Sequence, residues 1–322
     1  MSRKQIAKDA KIKNSKIVCE DVKIENGVKL NDVCIKAKKI KIKSNAMLTG
    51  CKIFSNGLVE LGKNSIIKEN SVLNAFKGIS IGDRTIIDRD VVIGGMQSEQ
   101  SEIEIGNDCA VLFRSYLNTT RKISIGNRVG IGGYCLIFTH SSWQNVLEGN
   151  PYQFAKVIIE DNVWLPWHVT VFPGVIIGKN STIGSGSIVT KNIPPKVFAA
   201  GIPAKIIKKK NVEKLSKSKK NSIALEIVKD FGAYAKEFLE IQNIIKKDSQ
   251  NCTINFKNKR LIYATNFKNI KPNDVVVSLK IPIMIKKNYE WIDLDSETAK
   301  ITSDIGKQFL AFIKRYGIRI IQ

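Results

Sequence analysis

The sequence predicts a mainly β protein in which a parallel β-helix is followed by a small α/β domain. Three observations support this fold class: a six-residue repeat of aliphatic side chains, interruptions that fall only after every third repeat, and a change to helical spacing after residue 212. A period of six matches neither an α-helix nor an alternating strand. It suits short strands joined by tight turns, with three units closing one triangular coil. We therefore expect two domains, 1–212 and 213–322.

The repeat is most regular in the middle of the chain. From Ile125 the sequence reads IGNRVG, IGGYCL and IFTHSS, whereas looser copies before residue 61 predict less regular coils. Because each later interruption follows a third hexapeptide, we expect all of them to leave the β-helix at one corner. His140 lies at that corner, and loops on a rigid scaffold commonly carry function. The interruptions fall at 79–80, 94–104, 123–124 and 143–158.

Composition argues against several classes of protein. The net charge of +23 comes mainly from lysines spread along the chain, without aromatic residues between the basic runs, so we expect no nucleic-acid partner. The charge favours an anionic or lipid-linked substrate, the alternative being a solvated lysine surface. No stretch approaches the ~20 apolar residues that span a bilayer, and the first residues lack the apolar stretch of a secretory signal. We therefore expect a cytoplasmic protein without a membrane span.

The six cysteines form no CxxC pair and no regular spacing. Reduced thiols are the simplest interpretation in a cytosolic protein. Cys34, Cys109 and Cys135 fall where the repeat favours a small residue, so we expect them to pack rather than to react.

The segment from Ile158 to Ile207 reads IIEDNVWLPWHVTVFPGVIIGKNSTIGSGSIVTKNIPPKVFAAGIPAKII. It resembles the hexapeptide acetyltransferases, in particular the maltose, galactoside and nodulation O-acetyltransferases, the xenobiotic acetyltransferases and soluble polysaccharide O-acetyltransferases. The resemblance is strong over residues 80–210, weak before that and absent after 212. It implies a left-handed β-helix, a homotrimer with active sites in clefts between subunits, and acetyl-CoA as the donor, with no metal.

The resemblance also implies a catalytic histidine. In the family this residue lies in a TH string just before an excursion loop, and IFTHSSW gives that role to His140. A thioester is already activated, so the enzyme needs chiefly a base for the acceptor hydroxyl, and free imidazole is mostly neutral at cytosolic pH. The alternative is an exposed turn residue without a chemical role. Glu148, in the same loop, is a candidate for orienting the imidazole, unless it is a solvated carboxylate.

Three further residues are candidates for acceptor contacts. Arg114 and Asn118 lie on the coil before His140, and Arg114 occupies the place where galactoside-type enzymes favour an asparagine. His168 is predicted at a different corner from His140, so the two would approach only across a subunit interface. The segment Trp164–Val169 departs from the family's WIGANV-like string and adds bulk beside the donor or acceptor channel. Corner packing is the alternative for this segment.

The donor is expected to bind along the same stretch of the chain. The family pattern implies serine and threonine contacts to the cofactor backbone, lysine contacts to its phosphates and an aromatic side chain beside the site. In so lysine-rich a chain, a solvated lysine is the alternative for each cation. The matching positions are Trp164, Trp167, Ser185, Thr190, Lys191, Lys205 and Lys208.

The C-terminal part follows a different pattern. A basic polar stretch, Lys208 to Asn221, is predicted to be a linker, and helical spacing then runs from Ile223 to Ile245. A last helix is predicted between Ser296 as its N-cap and Gly317. This domain resembles no family, and its role is open. Strand-like runs between the two helices are CTINF, RLIYAT, DVVVSL and IPIMI.

The leading interpretation is acetyl-CoA-dependent O-acetylation of a sugar hydroxyl in a surface-polysaccharide precursor. N-acetylation of an amino sugar or an antibiotic would use the same donor site and stays an alternative. A non-catalytic hexapeptide scaffold is a second class of protein, and a zinc hydratase on the same fold is a third. The hydratase needs three histidine ligands, whereas this chain has two histidines in all.

Overall fold

The chain divides into two compact units, Met1–Asn211 and Val212–Gln322. The first unit is a β-helix of three parallel sheets, and the second is a six-stranded sheet with three α-helices. The predicted fold class, a left-handed parallel β-helix with a small α/β unit, is confirmed. The structure is a computed structural model that describes residues 3–210, 214–239, 243–246, 252–256, 259–267 and 270–321.

The β-helix has three faces, which we name A, B and C in the order in which the chain visits them. Face A contains Arg3–Ile6, Asp21–Ile24, Lys39–Ile42, Leu58–Leu61, Gly78–Ile81, Glu102–Ile105, Ile123–Ile125, Val157–Ile159 and Ile176–Ile177. Face B contains Lys11–Lys13, Lys29–Asn31, Met47–Thr49, Ile66–Ile67, Ile86–Ile87, Ala110–Val111, Gly130–Ile131, Trp164–Leu165, Thr182–Ile183, Val197–Gly201 and Ala204–Lys209. Face C contains Lys16–Val18, Cys34–Lys36, Lys52–Phe54, Val72–Asn74, Val92–Gly94, Tyr116–Asn118, Leu136–Ile137, Thr170–Val171 and Ile188–Val189.

Aliphatic side chains of successive coils stack inside the β-helix, as the six-residue period predicts. On face A, Leu61, Ile81 and Ile105 follow one another and are at most 3% exposed. On face B, Ile67 and Ile87 are paired in register and fully buried. Burial of one such side chain contributes roughly 1.5–3 kcal/mol, and β-branched residues also suit short strands. The inward side chains therefore form one continuous core.

The first coils are more regular than the sequence indicates. Arg3 pairs with Asp21, and Asp21 pairs with Lys39, in register and without an insertion. The prediction of less regular coils before residue 61 is therefore wrong. Outward-facing lysines obscure the repeat, because the coils resemble one another only at inward positions such as Val22.

The chain turns at three corners, which we name A–B, B–C and C–A after the faces that they join. Two of the four predicted interruptions, 94–104 and 143–158, leave the β-helix on the passage from face C to face A. The other two are not insertions, because residues 79–80 and 123–124 lie in the face A strands Gly78–Ile81 and Ile123–Ile125 and pair in register. The longest leaves the β-helix after Ile137 and returns at Val157. At the end of the unit, Ala204–Lys209 folds back antiparallel onto Val197–Gly201.

The second unit is built on one mixed sheet. Its three middle strands, Lys259–Tyr263, Asp274–Ser278 and Glu290–Asp293, are parallel, and its outer strands, Asn243–Lys246, Cys252–Phe256 and Thr298–Lys300, pair antiparallel. The aromatic rings of Phe231 and Phe309 join the first and last α-helices, with centroids 5.1 Å apart. The helices are α1 (Lys217–Phe238), α2 (Ile283–Asn288) and α3 (Asp304–Ile313), with 3-10 turns at Val146–Glu148 and Lys314–Tyr316.

The beginning of this unit differs from the prediction. Lys208 lies in the hairpin strand, and α1 already begins at Lys217, so the predicted linker from Lys208 to Asn221 is too long. The helix is capped by the Ser216 side chain, which accepts from a backbone N–H group of the first turn. The helical spacing predicted up to Ile245 ends at α1, since residues 243–246 form a strand.

Two further elements of this unit also need correction. The run IPIMI is the start of α2 rather than a strand: Ile281 and Ile285 are buried, whereas Ile283 is 75% exposed, which is a helical period. The last helix begins after Ser303, not Ser296. Gly317 ends the 3-10 turn that follows this helix, with φ of 76°.

Candidate active site

His140 lies at the C–A corner, where the longest insertion leaves the β-helix. Residues 140–141 pair antiparallel with residues 153–154, and this short ladder closes the insertion at its base. Within the insertion, the 3-10 turn Val146–Glu148 is capped by Asn145. The imidazole is therefore half-buried at the base of a loop on a rigid scaffold.

Asn118, from the preceding coil, holds the imidazole of His140. The Nδ1 atom of His140 lies 3.1 Å from Asn118 Oδ1 and 3.4 Å from Thr120 Oγ1. Asn118 is only 3% exposed, and its Nδ2 atom donates to Tyr116 Oη at 2.9 Å. Thr139 Oγ1 donates to the backbone carbonyl of Asn118 at 2.6 Å. The network holds the Asn118 amide in one orientation.

These hydrogen bonds determine which nitrogen of His140 carries the proton. The backbone N–H of Thr120 lies 3.1 Å from Asn118 Oδ1, and an N–H group can only donate. The atom facing it is therefore the amide oxygen, so Nδ1 of His140 must donate to that oxygen. A neutral imidazole has one N–H group, which leaves the lone pair on Nε2. This is the form of histidine that accepts a proton from a hydroxyl group.

Phe154 and Arg121 surround the imidazole. The rings of His140 and Phe154 are stacked, with centroids 5.8 Å apart and an interplanar angle of 26°. The Arg121 guanidinium lies 4.8 Å from the Phe154 centroid, and its Nη1 atom donates to the Thr120 carbonyl at 3.1 Å. The corner thus offers a base, an apolar ring and a fixed cation, a combination that suits an anionic or polar substrate.

Glu148 does not take the orienting role predicted for it. Its Oε1 atom accepts from Asn145 Nδ2 at 3.1 Å, inside the 3-10 turn. Within the described part of the chain, the structure gives it no hydrogen bond to His140. Asn118 occupies the orienting position instead. Because both atoms of its amide group are engaged inside the protein, the structure favours this role over the acceptor contact that the sequence suggests.

Arg114 and His168 lie at the B–C corner, away from His140. Arg114 Nη1 donates to Tyr134 Oη at 3.1 Å, and the His168 ring stacks on Tyr134 with centroids 5.1 Å apart. The predicted separation of the two histidines onto different corners is confirmed. Of the three predicted acceptor residues, only Asn118 contacts His140 within one chain.

The predicted donor-binding residues form two groups. Trp164 faces outward on face B and is 57% exposed. Trp167 and Ser185 follow on consecutive coils of the B–C corner, where the Gly186 N–H donates to the Trp167 carbonyl at 3.0 Å. These residues line one edge of the β-helix.

The second group lies at the C–A corner and on the terminal hairpin of face B. Thr190 and Lys191 are exposed at the C–A corner, beyond His140 along the β-helix. Lys205 and Lys208 are exposed on the returning strand of the terminal hairpin, opposite Ala200 and Phe198 respectively.

Over short segments the chain is similar in sequence to characterised proteins, although no family model matches it. It is 54% identical over 63 residues to the galactoside O-acetyltransferase of Escherichia coli strain K12, covering 20% of this chain and 30% of that protein. It is 59% identical over 56 residues to the galactoside O-acetyltransferase of Lactococcus lactis, covering 17% and 27%. The resemblance to the hexapeptide acetyltransferases is confirmed. The chain spans less than a third of the length of these relatives.

The chain also matches solved structures at low sequence identity. A polysialic acid O-acetyltransferase matches with a TM-score of 0.42 and 21% identity, covering 66% of this chain and 89% of that one. None of the helices in the described part of our chain is long and apolar enough to cross a membrane.

The resemblance to hexapeptide acetyltransferases does not point to Tyr116, Thr120 or Phe154, and sequence reasoning missed all three. A signal was available for the first two. Leu117 pairs with Ile137 in register, so residues 116–121 lie one coil below His140. Stacking the hexapeptides by their aliphatic positions would have placed these polar side chains beside the imidazole. Phe154 comes from the insertion, where the repeat offers no register.

The described residues also bear on two other kinds of chemistry, metal binding and thiol reactivity. In the ranges that the structure describes, no group of three His, Cys, Asp or Glu residues is placed to hold a metal ion. Burial raises the pKa of the Cys109 and Cys135 thiols to about 11, so both stay protonated and pack inside the β-helix as predicted. Cys34 is different: it is half-exposed, and Val33 fills the inward position.

Proposed function

We propose that this chain is an acetyl-CoA-dependent O-acetyltransferase that acts on a sugar hydroxyl in a surface-polysaccharide precursor, with His140 as the general base. One observation carries the proposal. Asn118 Oδ1, 3.1 Å from Nδ1 of His140, accepts a hydrogen bond from the single N–H group of the neutral ring and leaves Nε2 free to act as a base. Identity to two galactoside O-acetyltransferases supports acetyl transfer to a sugar.

The reaction needs one proton acceptor. The hydroxyl oxygen of the sugar attacks the carbonyl carbon of the thioester, while its proton moves to Nε2 of His140. When the tetrahedral intermediate collapses, the C–S bond breaks and the imidazolium returns the proton to the thiolate. The products are an O-acetyl sugar and the free thiol of coenzyme A. General-base assistance of this kind contributes about 10²–10⁴ in rate.

We assign the donor to both groups of predicted cofactor residues. Trp164, Trp167 and Ser185 provide apolar and hydrogen-bonding contacts, and Lys191 and Lys205 provide charges for phosphate groups. In one chain Lys191 lies at the C–A corner, whereas the other four residues lie on face B or at the B–C corner. A homotrimer would bring the C–A corner of one copy against the B–C corner of the next and so unite them. This is our reason for proposing that the enzyme works as a homotrimer.

The cysteines and Arg121 support a cellular compartment and a class of acceptor for this reaction. The cysteines are present as reduced thiols, which suits the reducing cytoplasm, where we place the enzyme. Arg121 lies beside the imidazole and favours a saccharide acceptor that is anionic or lipid-linked through a phosphate.

The test measures release of the coenzyme A thiol by the full chain, with acetyl-CoA and a panel of acceptors: methyl β-galactoside, oligogalacturonate, glucosamine and chloramphenicol. We expect release with a sugar hydroxyl as acceptor. His140→Ala should lower turnover by about 10²–10⁴-fold and leave the affinity for coenzyme A and the thermal midpoint unchanged. Gln144→Ala, an exposed change in the same insertion, is the matched control.

Each other outcome contradicts a different part of the proposal. Near-full activity of the His140→Ala variant would assign the base elsewhere. Release with glucosamine or chloramphenicol alone would make the enzyme an N-acetyltransferase or a drug-modifying acetyltransferase. Absence of acetyl-CoA binding by calorimetry would make the β-helix a non-catalytic scaffold.

A further inference from the structure

The first coil of the β-helix, residues 3–20, exposes aliphatic side chains at positions that the second coil buries. The strands of the two coils pair in register, so their inward positions correspond one to one. Ile6 is 47% exposed, whereas its partner Ile24 is 2% exposed. Ile12 is 38% exposed, whereas its partner Leu30 is 1% exposed. The aliphatic core therefore opens onto the surface at this end of the β-helix.

The other end of the β-helix is closed. Ile177, Ala199 and Val189 occupy the inward positions of the last coil on faces A, B and C, and all three are fully buried. Exposed apolar surface on a folded protein commonly marks an interaction site. The opening at the first coil is thus a property of that coil and not a general result of ending a β-helix.

Lysine residues follow the exposed aliphatic side chains around the first coil. Residues 3–20 contain six lysine and arginine residues but two carboxylates, Asp9 and Glu20. Asp9 is already engaged, since its Oδ2 atom accepts from the Gly27 N–H at 2.9 Å. Within the described part of the chain, no carboxylate lies within ion-pair distance of the exposed lysines of this coil. We call the exposed side chains of the coil the terminal face: Lys4, Ile6, Lys8, Lys11, Ile12, Lys13, Lys16 and Val18.

Two lysines of the terminal face are placed unfavourably for the β-helix itself. Lys11 pairs in register with Lys29 on face B, and both side chains are exposed. Like charges directly opposite one another on neighbouring strands are destabilising. Lys4 takes an inward position on face A, paired with the buried Val22. Packing within the β-helix explains neither placement, and an anionic surface at this end would relieve both.

The charge determines what kind of surface fits the terminal face. A second copy of the chain would bring the same lysines against one another, which opposes end-to-end contact between copies. An anionic lipid surface offers the complementary charge, and its interfacial region accepts aliphatic side chains. Ile6, Ile12 and Val18 are available for this contact, and Val18 is 43% exposed.

We infer that the terminal face is a docking surface for an anionic phospholipid membrane, with the first coil of the β-helix toward the lipid. The lysines provide the attraction to the lipid phosphates, and Ile6, Ile12 and Val18 enter the interfacial region. The inference goes beyond the proposed function and does not depend on it, because binding to lipid requires no acetyl transfer.

A membrane below the first coil would set the height of the active site. Six steps from coil to coil separate the first coil from the coil that carries His140, about 29 Å at the usual strand spacing. In a homotrimer around an axis parallel to the β-helix, three terminal faces lie at one level and bind the same membrane together. The proposed acceptor is then a sugar that a lipid-linked saccharide extends to the height of His140, and this last step rests on the proposed function.

The experiment measures co-sedimentation of the full chain with two kinds of lipid vesicle. One kind contains phosphatidylcholine alone, and the other contains equal parts of phosphatidylcholine and phosphatidylglycerol. We expect binding to the anionic vesicles that falls as the salt concentration rises, and little binding to phosphatidylcholine.

The double variant Lys11→Glu/Lys13→Glu tests the charge of the terminal face. We expect it to weaken binding to the anionic vesicles about 25-fold or more, because each lysine near such a surface contributes about fivefold. The fold should be retained, since a carboxylate at position 11 would lie opposite Lys29. Lys179→Glu/Lys196→Glu, the same change of charge near the other end of the β-helix, is the matched control and should bind as the native chain does.

The variant Ile6→Ser tests the aliphatic contact. We expect it to weaken binding to the anionic vesicles about threefold to tenfold, because about half of one aliphatic side chain no longer transfers from water to lipid. Ile176→Ser is the control, at a position on face A near the other end that is 37% exposed, and should leave binding unchanged. Thermal midpoints of all variants separate a loss of binding from a loss of folding.

Three results would overturn the inference: no binding of the native chain to anionic vesicles, equal binding by the folded Lys11→Glu/Lys13→Glu variant, or equal losses in that variant and its control. Association of the native chain in sedimentation that Ile6→Ser abolishes, without any lipid binding, would instead identify the terminal face as a contact between copies. Failure of the proposed function looks different. Vesicle binding that depends on the terminal face, in a chain that transfers no acetyl group, would retain the docking surface and refute the transferase.

Discussion

The A–B and C–A corners of the β-helix turn the chain in different ways. At the A–B corner, the middle coils are tied to one another by backbone N–H groups that donate to turn side chains. Asp83 Oδ1 accepts from Lys63 at 2.7 Å, Asn107 Oδ1 from Asp83 at 2.7 Å, and Asn127 Oδ1 from Asn107 at 2.8 Å. Because these three hydrogen bonds repeat the same geometry on successive coils, the turn at this corner can vary little from coil to coil. This corner winds the chain.

The C–A corner is also tied from coil to coil, but through hydroxyl side chains whose positions shift with the insertions. Phe76 N–H donates to Ser101 Oγ, Met96 N–H to Thr120 Oγ1 and Arg121 N–H to Thr139 Oγ1. The insertions 94–104 and 143–158 leave here, and around His140 further bonds join Asn118 to His140 and Thr139 of the next coil. The comparison teaches that one corner provides the regular geometry and another is free to vary. A reactive side chain can then be added without disturbing the winding.

The largest expected effect tests the rigid corner. Gly82→Ala would place a Cβ atom 2.4 Å from the backbone of Gly106 on the next coil, which cannot yield without separating the coils. We expect a loss of about 3 kcal/mol in the free energy of unfolding, the upper range for overpacking. Denaturant unfolding followed by circular dichroism measures it.

Gly94→Ala is the control, at the end of a face C strand next to the variable corner. Its Cβ atom would meet nothing closer than 3.8 Å. Equal losses of unfolding free energy in the two variants would show that the two corners are equally constrained, which would contradict the comparison.

The second prediction concerns the variable corner and its chemistry. Asn118→Asp keeps an acceptor for His140 Nδ1 but adds a negative charge, which stabilises the protonated imidazolium relative to the neutral base. The acidic limb of the kcat/KM profile should therefore move to higher pH.

The pH profile of acetyl transfer separates a positioning residue from a structural one. Loss of activity at all pH values, with the inflection unmoved, would mean that Asn118 supports the fold and does not act through His140. Asn107→Asp, the same substitution at the A–B corner, is the control and should leave the inflection in place.

The smallest expected effect comes from replacing one asparagine by alanine at each of the two corners. Asn107→Ala removes an acceptor from the Asp83 N–H, and we expect a loss of about 1 kcal/mol in the free energy of unfolding. Asn145→Ala removes the cap of the 3-10 turn in the insertion and should cost less than about 0.5 kcal/mol, because the insertion is outside the coils. A larger loss for Asn145→Ala would make the insertion part of the folding core.

The β-helix could be predicted from the sequence because its inward-facing aliphatic residues repeat every six positions. The same repeat placed His140 at the corner where the insertions leave. The partners of His140 were less accessible. Asn118 contacts the imidazole through the stacking of two coils, which depends on register between residues far apart in the sequence. Glu148 is near His140 in the sequence, yet the 3-10 turn directs its carboxylate to Asn145.

The second unit shows a different limit of sequence reasoning. IPIMI is apolar throughout, so its period does not separate a strand from a short helix. The choice depends on which side chains meet the sheet, and Ile281 and Ile285 do so while Met284 is 69% exposed. The start of α3 was similarly ambiguous, because Ser296 and Ser303 are both plausible caps by residue type alone.

The terminal hairpin has a consequence for the whole molecule. Parallel sheets that stack coil upon coil expose backbone groups at their last strand, the same kind of edge on which amyloid fibrils grow. On face B that edge is covered by Ala204–Lys209, which runs in the opposite direction and is rich in lysine. A second molecule that approached this end would meet a strand of the wrong polarity and a repulsive charge. The chain thus carries its own barrier to end-to-end polymerisation at face B.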